Sequence, residues 1–408
     1  MGQHAGQSGE AMLGRVWAGV DIGKGHHHAV VIDPDGVRLL SRRVANEETA
    51  LLELVAQVSG LAGQVDWAVD MSTGGAALLL ALLVAHGQRV VYISGNQVNR
   101  VAGAYRGEGK TDARDAAIIA DQARMRRDLT PLRLDDELIV ELRMLVARRR
   151  DLAGDRVRLV NRLHEQLLGI SPALEHALEL TNRGPLVLLT HVQTPAAIRR
   201  LGAERLEDWL RSRKVRGAAE LATKAVTAAN TQHTTLPGER LAAQLVADMA
   251  KGVMSLDEQL KHTDKLIEGR FRGHRSAEVL LSMPGIGILL GAEFLAATGG
   301  DMTAFASADH LAGYAGLAPA PRDSGRISGN LHRPRRYHRG LQRALYTSAL
   351  VSIRCNPQSR TFYDRKRSEG KHHTQAVLAL ARRRVNVLWA LLRDNRSYTP
   401  APPTAAAA

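Results

Sequence analysis

Asp112 and Asp115 stand three residues apart in the stretch Lys110-Thr111-Asp112-Ala113-Arg114-Asp115-Ala116. On a helix that spacing stacks both carboxylates on one face. Ala116, Ala117, Ile118, Ile119 and Ala120 follow, and they are helix-forming and apolar. Like charges so placed repel, so the pair is kept either as a solvated face or by a cation between the two. Two further acids, Asp21 and Asp70, each sit at or near the end of an apolar, strand-like run, over 16–22 and 65–70. Four carboxylates meeting in a partly desolvated pocket repel by on the order of several kcal/mol. A divalent cation removes that repulsion, and hard oxygen donors suit Mg²⁺ or Mn²⁺. Two such ions about 4 Å apart would clamp both oxygens of an in-line phosphoryl transfer.

The flanking sequence supplies elements that would position these acids. Strands are predicted over 16–22, 29–32 and 37–44, with Asp33-Pro34-Asp35-Gly36 as a turn between the last two. Asn46 is placed to cap a helix whose apolar face is Leu51, Leu52, Leu54, Val55 and Val58. A strand over 65–70, a helix over 76–86, a strand over 89–93 and a helix over 97–104 follow. The order β-β-β-α-β-α-β-α is that of an α/β, RNase H-like fold, in which the first strand is central and lies beside the fourth. Asp21 and Asp70 would then be neighbours, and the closing helix would lay Asp112 and Asp115 across the same sheet edge. Strand alternation sends His26 and His28 to one face and His27 to the other, so the three do not converge as metal ligands. Gly23-Lys24-Gly25 lacks the spacing of a phosphate-binding loop and reads as a tight turn.

The 408 residues predict two or three domains. Lys plus Arg exceed Asp plus Glu by 55 − 41 = 14, which points first to nucleic acid as partner and far less to an anionic membrane surface. No apolar run is long enough to span a bilayer, and the first residues lack the apolar core of a signal peptide. Cys355 is the single cysteine, which excludes an internal disulfide framework and a multi-cysteine zinc site and fits a reducing, cytoplasmic setting.

Beyond residue 135 leucines recur at helical spacing (Leu138, Leu142, Leu145, Leu152, Leu159, Leu163, Leu167) beside a basic flank that includes Arg148, Arg149 and Arg150. A similar long helix is expected over 240–271. The two could pair as an antiparallel arm or between subunits, and 171–239 carries no assigned role. Ser282-Met283-Pro284-Gly285-Ile286-Gly287 resembles a helix-hairpin-helix turn. There the backbone N–H groups of Gly285 and Gly287 could hold a phosphate, or the segment is a plain helix–helix turn. Next comes Ser324-Gly325 among Arg322, Arg326, Arg333, Arg335, Arg336, Arg339 and Arg343, with Asp323 the only acid nearby. Such arginines, with Lys110, would grip phosphates. Ser324 could act there as a nucleophile, because positive charge and a bound phosphodiester favour an alkoxide; Ser328, Tyr337 and Tyr346 compete for the role.

Taken together, Val20-Asp21-Ile22-Gly23-Lys24, Asp70-Met71-Ser72-Thr73-Gly74-Gly75, the Lys110–Ala116 stretch, Pro284-Gly285-Ile286-Gly287, Gly316-Leu317-Ala318-Pro319, Ser324-Gly325 and Arg339-Gly340 form an ordered set. Over nearly the full length the chain resembles the DEDD transposases of the one-ten insertion-sequence family, relatives of the Piv-type invertases. The resemblance implies a RuvC-like domain over 15–130, a helical, coiled-coil region over 131–275 and a mainly α-helical C-terminal transposase domain over 276–395. The ends, 1–14 and 396–408, read as disordered. It implies Asp21, Asp70, Asp112 and Asp115 as metal-binding, catalytic acids and Ser324 as the nucleophile, brought to the metal cluster of its own or another subunit of a dimer or tetramer. It also implies a DNA recombinase of a bacterial mobile element, nucleoid-associated, and guided in some members by an element-encoded RNA. The family's second acid is usually Glu, and Asp70 is shorter by one CH₂. Two other readings stand beside it: a RuvC-like, structure-specific endonuclease with water as nucleophile, and a non-catalytic nucleic-acid-binding protein.

Overall fold

A computed structural model of the chain describes residues 13–71, 74–93, 95–105, 109, 111–127, 129, 131–132, 137–326, 328–332 and 334–400. The expectations for Lys110, Arg333 and the two ends, 1–12 and 401–408, lie outside these residues. Two compact units divide the chain, 1–134 and 135–408.

The first unit is built on a sheet of five strands, β1 (Leu13–Asp21), β2 (His26–Ile32), β3 (Arg38–Ala45), β4 (Ala62–Val69) and β5 (Arg89–Tyr92), in the order β3-β2-β1-β4-β5. β1 is central, antiparallel to β2 and parallel to β4. Alternation along β1 decides what each face packs against. Val16, Ala18 and Val20 join Leu51, Leu54, Leu79 and Leu83 of α1 (Glu48–Ser59) and α2 (Ala77–Ala85). Trp17 points the other way, into a cluster with Ile119 and Ala120. Those residues belong to α4 (Asp112–Met125), which follows a short α3 (Gly95–Val101).

Gly19 lets α4 lie directly on β1. A Cβ there would stand 2.2 Å from the Ala116 carbonyl oxygen and 2.3 Å from the Ala120 nitrogen. The expected cap of α1 is corrected: Glu47 occupies the N-cap position and no side chain caps that helix. Asn46 instead donates from Nδ2 to the Gly75 and Lys24 carbonyls at 3.2 and 3.4 Å. It thereby ties the β1–β2 turn to the segment after β4, where a cap would have served only the helix.

In the second unit α5 (Glu137–Leu168) and α10 (Glu239–Arg272) run antiparallel within the one chain. Ion pairs fix the direction: Arg270 meets Glu141 at 2.6 Å, Arg149 meets Asp264 at 2.5 Å, and Arg156 meets Asp257. Of the two pairings expected, this is the intramolecular one. Between them α6 (Pro172–Ala177), α7 (Arg183–His191), α8 (Pro195–Ser212) and α9 (Ala218–Asn230) build one apolar core with the adjoining ends of α5 and α10. A second core gathers the other ends of that pair with α11 (Ala277–Ser282), α12 (Ile288–Thr298), α13 (Ala308–Tyr314), α14 (Arg339–Cys355) and α16 (His373–Arg393). Between α13 and α14 lies a small hairpin of β6 (Ala320–Pro321) and β7 (Leu331–His332), and α15 (Pro357–Ser368) links α14 to α16. Among the described residues no helix is long and apolar enough to cross a membrane.

Candidate active site

Asp21 is the last residue of β1, and Asp70 directly follows β4, the parallel neighbour whose Val69 is in register with Val20. The Ile22 N–H donates to Asp70 Oδ1 at 3.1 Å, which fixes the Asp70 carboxylate beside the end of β1. Asp112 and Asp115 occupy the first turn of α4. Thr111 caps that turn, its hydroxyl accepting from the Arg114 N–H at 3.2 Å. Carboxylates in a first turn are favoured by the helix dipole, so the helix start itself stabilises the two acids. Arg114 stands between them in sequence but turns away, donating to the carbonyls of Gly109 (2.9 Å), Ala102 (3.0 Å) and Tyr105 (3.2 Å). Arg114 therefore does not bridge the two acids.

Electrostatics tie these positions together. Burial pushes the Asp70 carboxyl above its ordinary range, and the Asp115 charge pushes in the same direction against the Ile22 N–H. Asp115 thus lies within electrostatic reach of Asp70. Burial also lowers His28, while the Asp112 charge opposes that shift. His28 is in register with Asp21 across β1 and β2. So the ends of β1 and β4 and the start of α4 bring all four acids to one end of one sheet. His28 joins them, a position that the His26–His28 run does not single out by itself. The signal was the same alternation: His28 shares the α4 face with Val30 and Ile32, whereas His27 is 1 % exposed on the opposite face.

The donor set fits a hard divalent cation. Among the described residues no group of three or more carboxylate, imidazole or thiol side chains is arranged to hold one ion between them. A protein cage of that kind is not what Mg²⁺ requires: it keeps several waters and takes one or two carboxylates, with substrate phosphate completing the shell. A half-buried carboxyl whose pKa is raised, with a second acid acting on it, matches that demand.

In the second unit, Ser324 lies exposed in the loop between β6 and β7. Asp323 holds that loop. Its Oδ1 accepts the Asn330 N–H at 2.8 Å, while Arg322 N–H donates to the Asn330 carbonyl at 2.8 Å. Ser328 is exposed in the same loop. Both competing tyrosines are half-buried. Tyr337 lies against Gly316, where a Cβ would stand 2.4 Å from its ring, and Tyr346 packs on the core. Arg322, Arg326, Arg335, Arg336 and Arg339 are exposed, and Arg343 pairs with Glu293 at 3.0 Å. Arg343 and Glu293 also line a cleft of about 190 Å³ with Arg143, Arg150 and His338. Arg143 and Arg150 extend the basic surface from α5, which sequence spacing alone could not connect to residues near 340.

The Pro284 to Gly287 turn has a packing explanation for its first glycine. Gly285 has φ +81°, and a Cβ there would stand 2.4 Å from the Ser348 carbonyl oxygen of α14. The buried Arg384 donates to the Pro284 carbonyl and, at 2.7 Å, to Ser348 Oγ; its own pKa is lowered by burial to about 10. Gly287 lies exposed at the start of α12.

Residues 18–172 match a DEDD transposase family, and residues 277–364 match the family described as Transposase IS116/IS110/IS902. Over 395 residues the chain is 63% identical to the uncharacterized 42 kDa protein of insertion element IS900 from Mycobacterium paratuberculosis, covering 96% of this chain and 99% of the relative. The chain belongs to the IS116/IS110/IS902 transposase family. Another member, the uncharacterized 44.8 kDa protein of IS116 from Streptomyces clavuligerus, is 54% identical over 95% of this chain and 97% of its own length. More distantly, the pilin gene-inverting protein of Moraxella bovis is 36% identical over 130 residues, 31% of this chain and 39% of that protein. All four acids of this transposase family member fall inside the first matched segment, and Ser324 with its arginines inside the second.

Proposed function

We propose that the chain cuts and rejoins DNA for a mobile element by metal-assisted phosphoryl transfer, with Ser324 as the nucleophile. The carrying observation is the arrival of four aspartates from three separate segments at one end of one sheet. The strand order, with β1 central and parallel to β4, supports an RNase H-like, RuvC-like assignment for 15–130. The matched segments support 276–395 as the transposase domain, with 131–275 as a helical region between them. The Moraxella relative is a gene-inverting protein, which supports recombination over simple cutting.

Asp21, Asp70, Asp112 and Asp115 would hold Mg²⁺ or Mn²⁺. Such an ion supplies charge stabilisation for the reacting phosphate and for the oxygens exchanged on it. The chain's own groups do the rest. Exposed arginines around the β6–β7 loop hold non-bridging phosphate oxygens, and their positive potential favours the ionised serine. As the Ser324 Oγ–P bond forms, the strand's P–O bond breaks. The displaced strand leaves as a hydroxyl with the proton that serine gives up. An incoming strand hydroxyl reverses the step, so the bond energy is conserved. The same basic surface supports an RNA guide as a second nucleic-acid partner, and the function supports a homo-oligomer acting on the bacterial nucleoid in the cytoplasm.

Water as nucleophile is the second reading. It is favoured by residues 1–134 supplying all four acids without help from the serine loop. The test incubates the full chain with a nicked suicide substrate carrying the element's ends. Wild-type protein and Ser328→Ala should give a denaturation-resistant protein–DNA adduct, and Ser324→Ala none. An adduct retained in Ser324→Ala overturns the serine assignment, and cut ends without any adduct favour water.

A further inference from the structure

α15 and the turn after it carry a basic surface that the reaction at Ser324 does not use. The helix packs on α14 and α16, and most of its residues are exposed. From 354 to 371 six cations, Arg354, Arg360, Arg365, Lys366, Arg367 and Lys371, stand against the carboxylates of Asp364 and Glu369, a surplus of 6 − 2 = 4. Residues 334–400 are all described, and the one other acid among them, Asp394, pairs with Arg393 and Arg396 at 2.7 and 3.2 Å. Asp364 pairs with Arg360 at 2.8 Å, and Glu369 with Lys366 at 2.6 Å and Arg365 at 3.7 Å. Lys371 acts on Glu369 through charge alone, more weakly than either of those two. Among the described residues Arg354, Arg367, Lys371 and Arg383 make no ion pair.

Phe362 gathers cations from two helices. Arg383 of α16 and Arg365 and Lys366 of α15 lie 5.1, 5.2 and 5.7 Å from its ring centroid. Elsewhere among the described residues a ring carries a single cation, as at Trp17, Trp209 and Trp389. The half-buried Phe362 ring also packs on the core, and one cation would suffice to cover its outer side. Three cations held within about 6 Å of one centroid repel each other. Glu369 meets two of them and leaves Arg383 unmatched. A polyanion relieves that repulsion, and its released counterions add to the gain. The 12 residues of α15 extend about 18 Å, the span of about five phosphates on one strand.

We infer that α15, the turn after it and Arg383 form a track for the phosphate backbone of a bound nucleic acid. The inference rests on the nucleic-acid reading above, but not on Ser324, the arginines of its loop or the metal.

The test measures binding of the full chain to a labelled DNA duplex and to a labelled RNA hairpin, each over a salt series. Lys371→Gln/Arg383→Gln removes two exposed charges and breaks no ion pair among the described residues. It should weaken binding about tenfold and reduce the slope of log K against log salt by about 1 to 2, as expected for one or two lost phosphate contacts. Lys371→Arg/Arg383→Lys keeps both charges and should bind like wild type. Arg200→Gln/Arg205→Gln, on exposed residues of α8, removes equal charge elsewhere and should change the slope little. An effect confined to the hairpin assigns the track to RNA, and one confined to the duplex assigns it to DNA. If the α15 pair behaves like the α8 pair, or if the charge-keeping pair loses as much binding as the neutral one, the inference is overturned. Lys371→Gln alone repeats the test should the double variant melt early. Wild-type protein that binds neither ligand in a salt-dependent way would overturn the nucleic-acid reading itself, whereas wild-type binding untouched by the α15 pair overturns this track alone.

Discussion

The acid end of the N-terminal sheet and the serine loop of the C-terminal unit are built on different terms. The acids stand on rigid elements: two parallel strands and a capped helix start, with Gly19 pressing that helix onto β1. Ser324 stands in an exposed loop held by one carboxylate, Asp323. Rigid placement tolerates charge repulsion because packing elsewhere resists it. An exposed loop instead leaves its nucleophile accessible and depends on substrate to complete the site. Damage to the packing that carries the first region should therefore show in both activity and stability, and damage to its solvent-facing acids or to the serine loop in activity alone.

The largest effect is expected from Asp112→Asn/Asp115→Asn. Strand cleavage should fall about a thousandfold or more, equivalent to about 4 kcal/mol at the barrier. Melting should not fall, because the pair sits exposed and half-exposed on the helix start; a variant that melts early would show that the two acids serve the fold. Gly19→Ala comes next. Its Cβ meets the α4 backbone, so urea unfolding of the N-terminal unit should lose about 1–3 kcal/mol as α4 shifts. Thr111→Ala removes the α4 cap and should cost about 1 kcal/mol by the same measurement. Asp323→Ala should stay within about 0.5 kcal/mol of wild type in unfolding while recombination drops, since only the loop loosens.

The smallest effect carries the sharpest sign. The folded state raises the Asp70 pKa above its unfolded value, through burial first and Asp115 second. The folded protein therefore binds this proton more readily than the unfolded chain does. Ionised Asp70 costs the fold nothing below the unfolded pKa, and the cost grows as pH rises through the raised value. Asp70→Asn keeps an acceptor for the Ile22 N–H. In chelator-containing buffer it should melt slightly higher than wild type near neutral pH, with the difference vanishing in acid. A lower melting point at neutral pH would show that the Asp70 charge is held favourably instead.

Much of the first unit was legible because short-range patterns carry it. The apolar run of β1, the Asp33 to Gly36 turn and the helical stretch that follows Asp112 and Asp115 are local patterns, and together they give the element order. Side-chain bonds across long sequence distances were not legible. Asn46 could cap α1 by its type, yet its partners, Gly75 and Lys24, are set by how two turns meet. His28 was hidden inside a histidine run until register placed it opposite Asp21. In the second unit the long helices were readable from leucine spacing. Their pairing within the chain required the ion pairs from Glu141 to Arg270 and from Arg149 to Asp264. Gly285 looked like a phosphate turn by motif, and its close approach to Ser348 belongs to packing that no local pattern contains.

We propose that Asp21, Asp70, Asp112 and Asp115 together support divalent-cation binding at one end of the sheet, each ion taking one or two of the carboxylates directly. Calorimetric titration of Mn²⁺ into the full chain, repeated with each aspartate changed singly to Asn, tests it most directly. Saturable binding in the wild-type protein, weakened by every one of the four substitutions, is the result expected. Wild-type affinity retained in the Asp21→Asn and Asp112→Asn variants would contradict the claim.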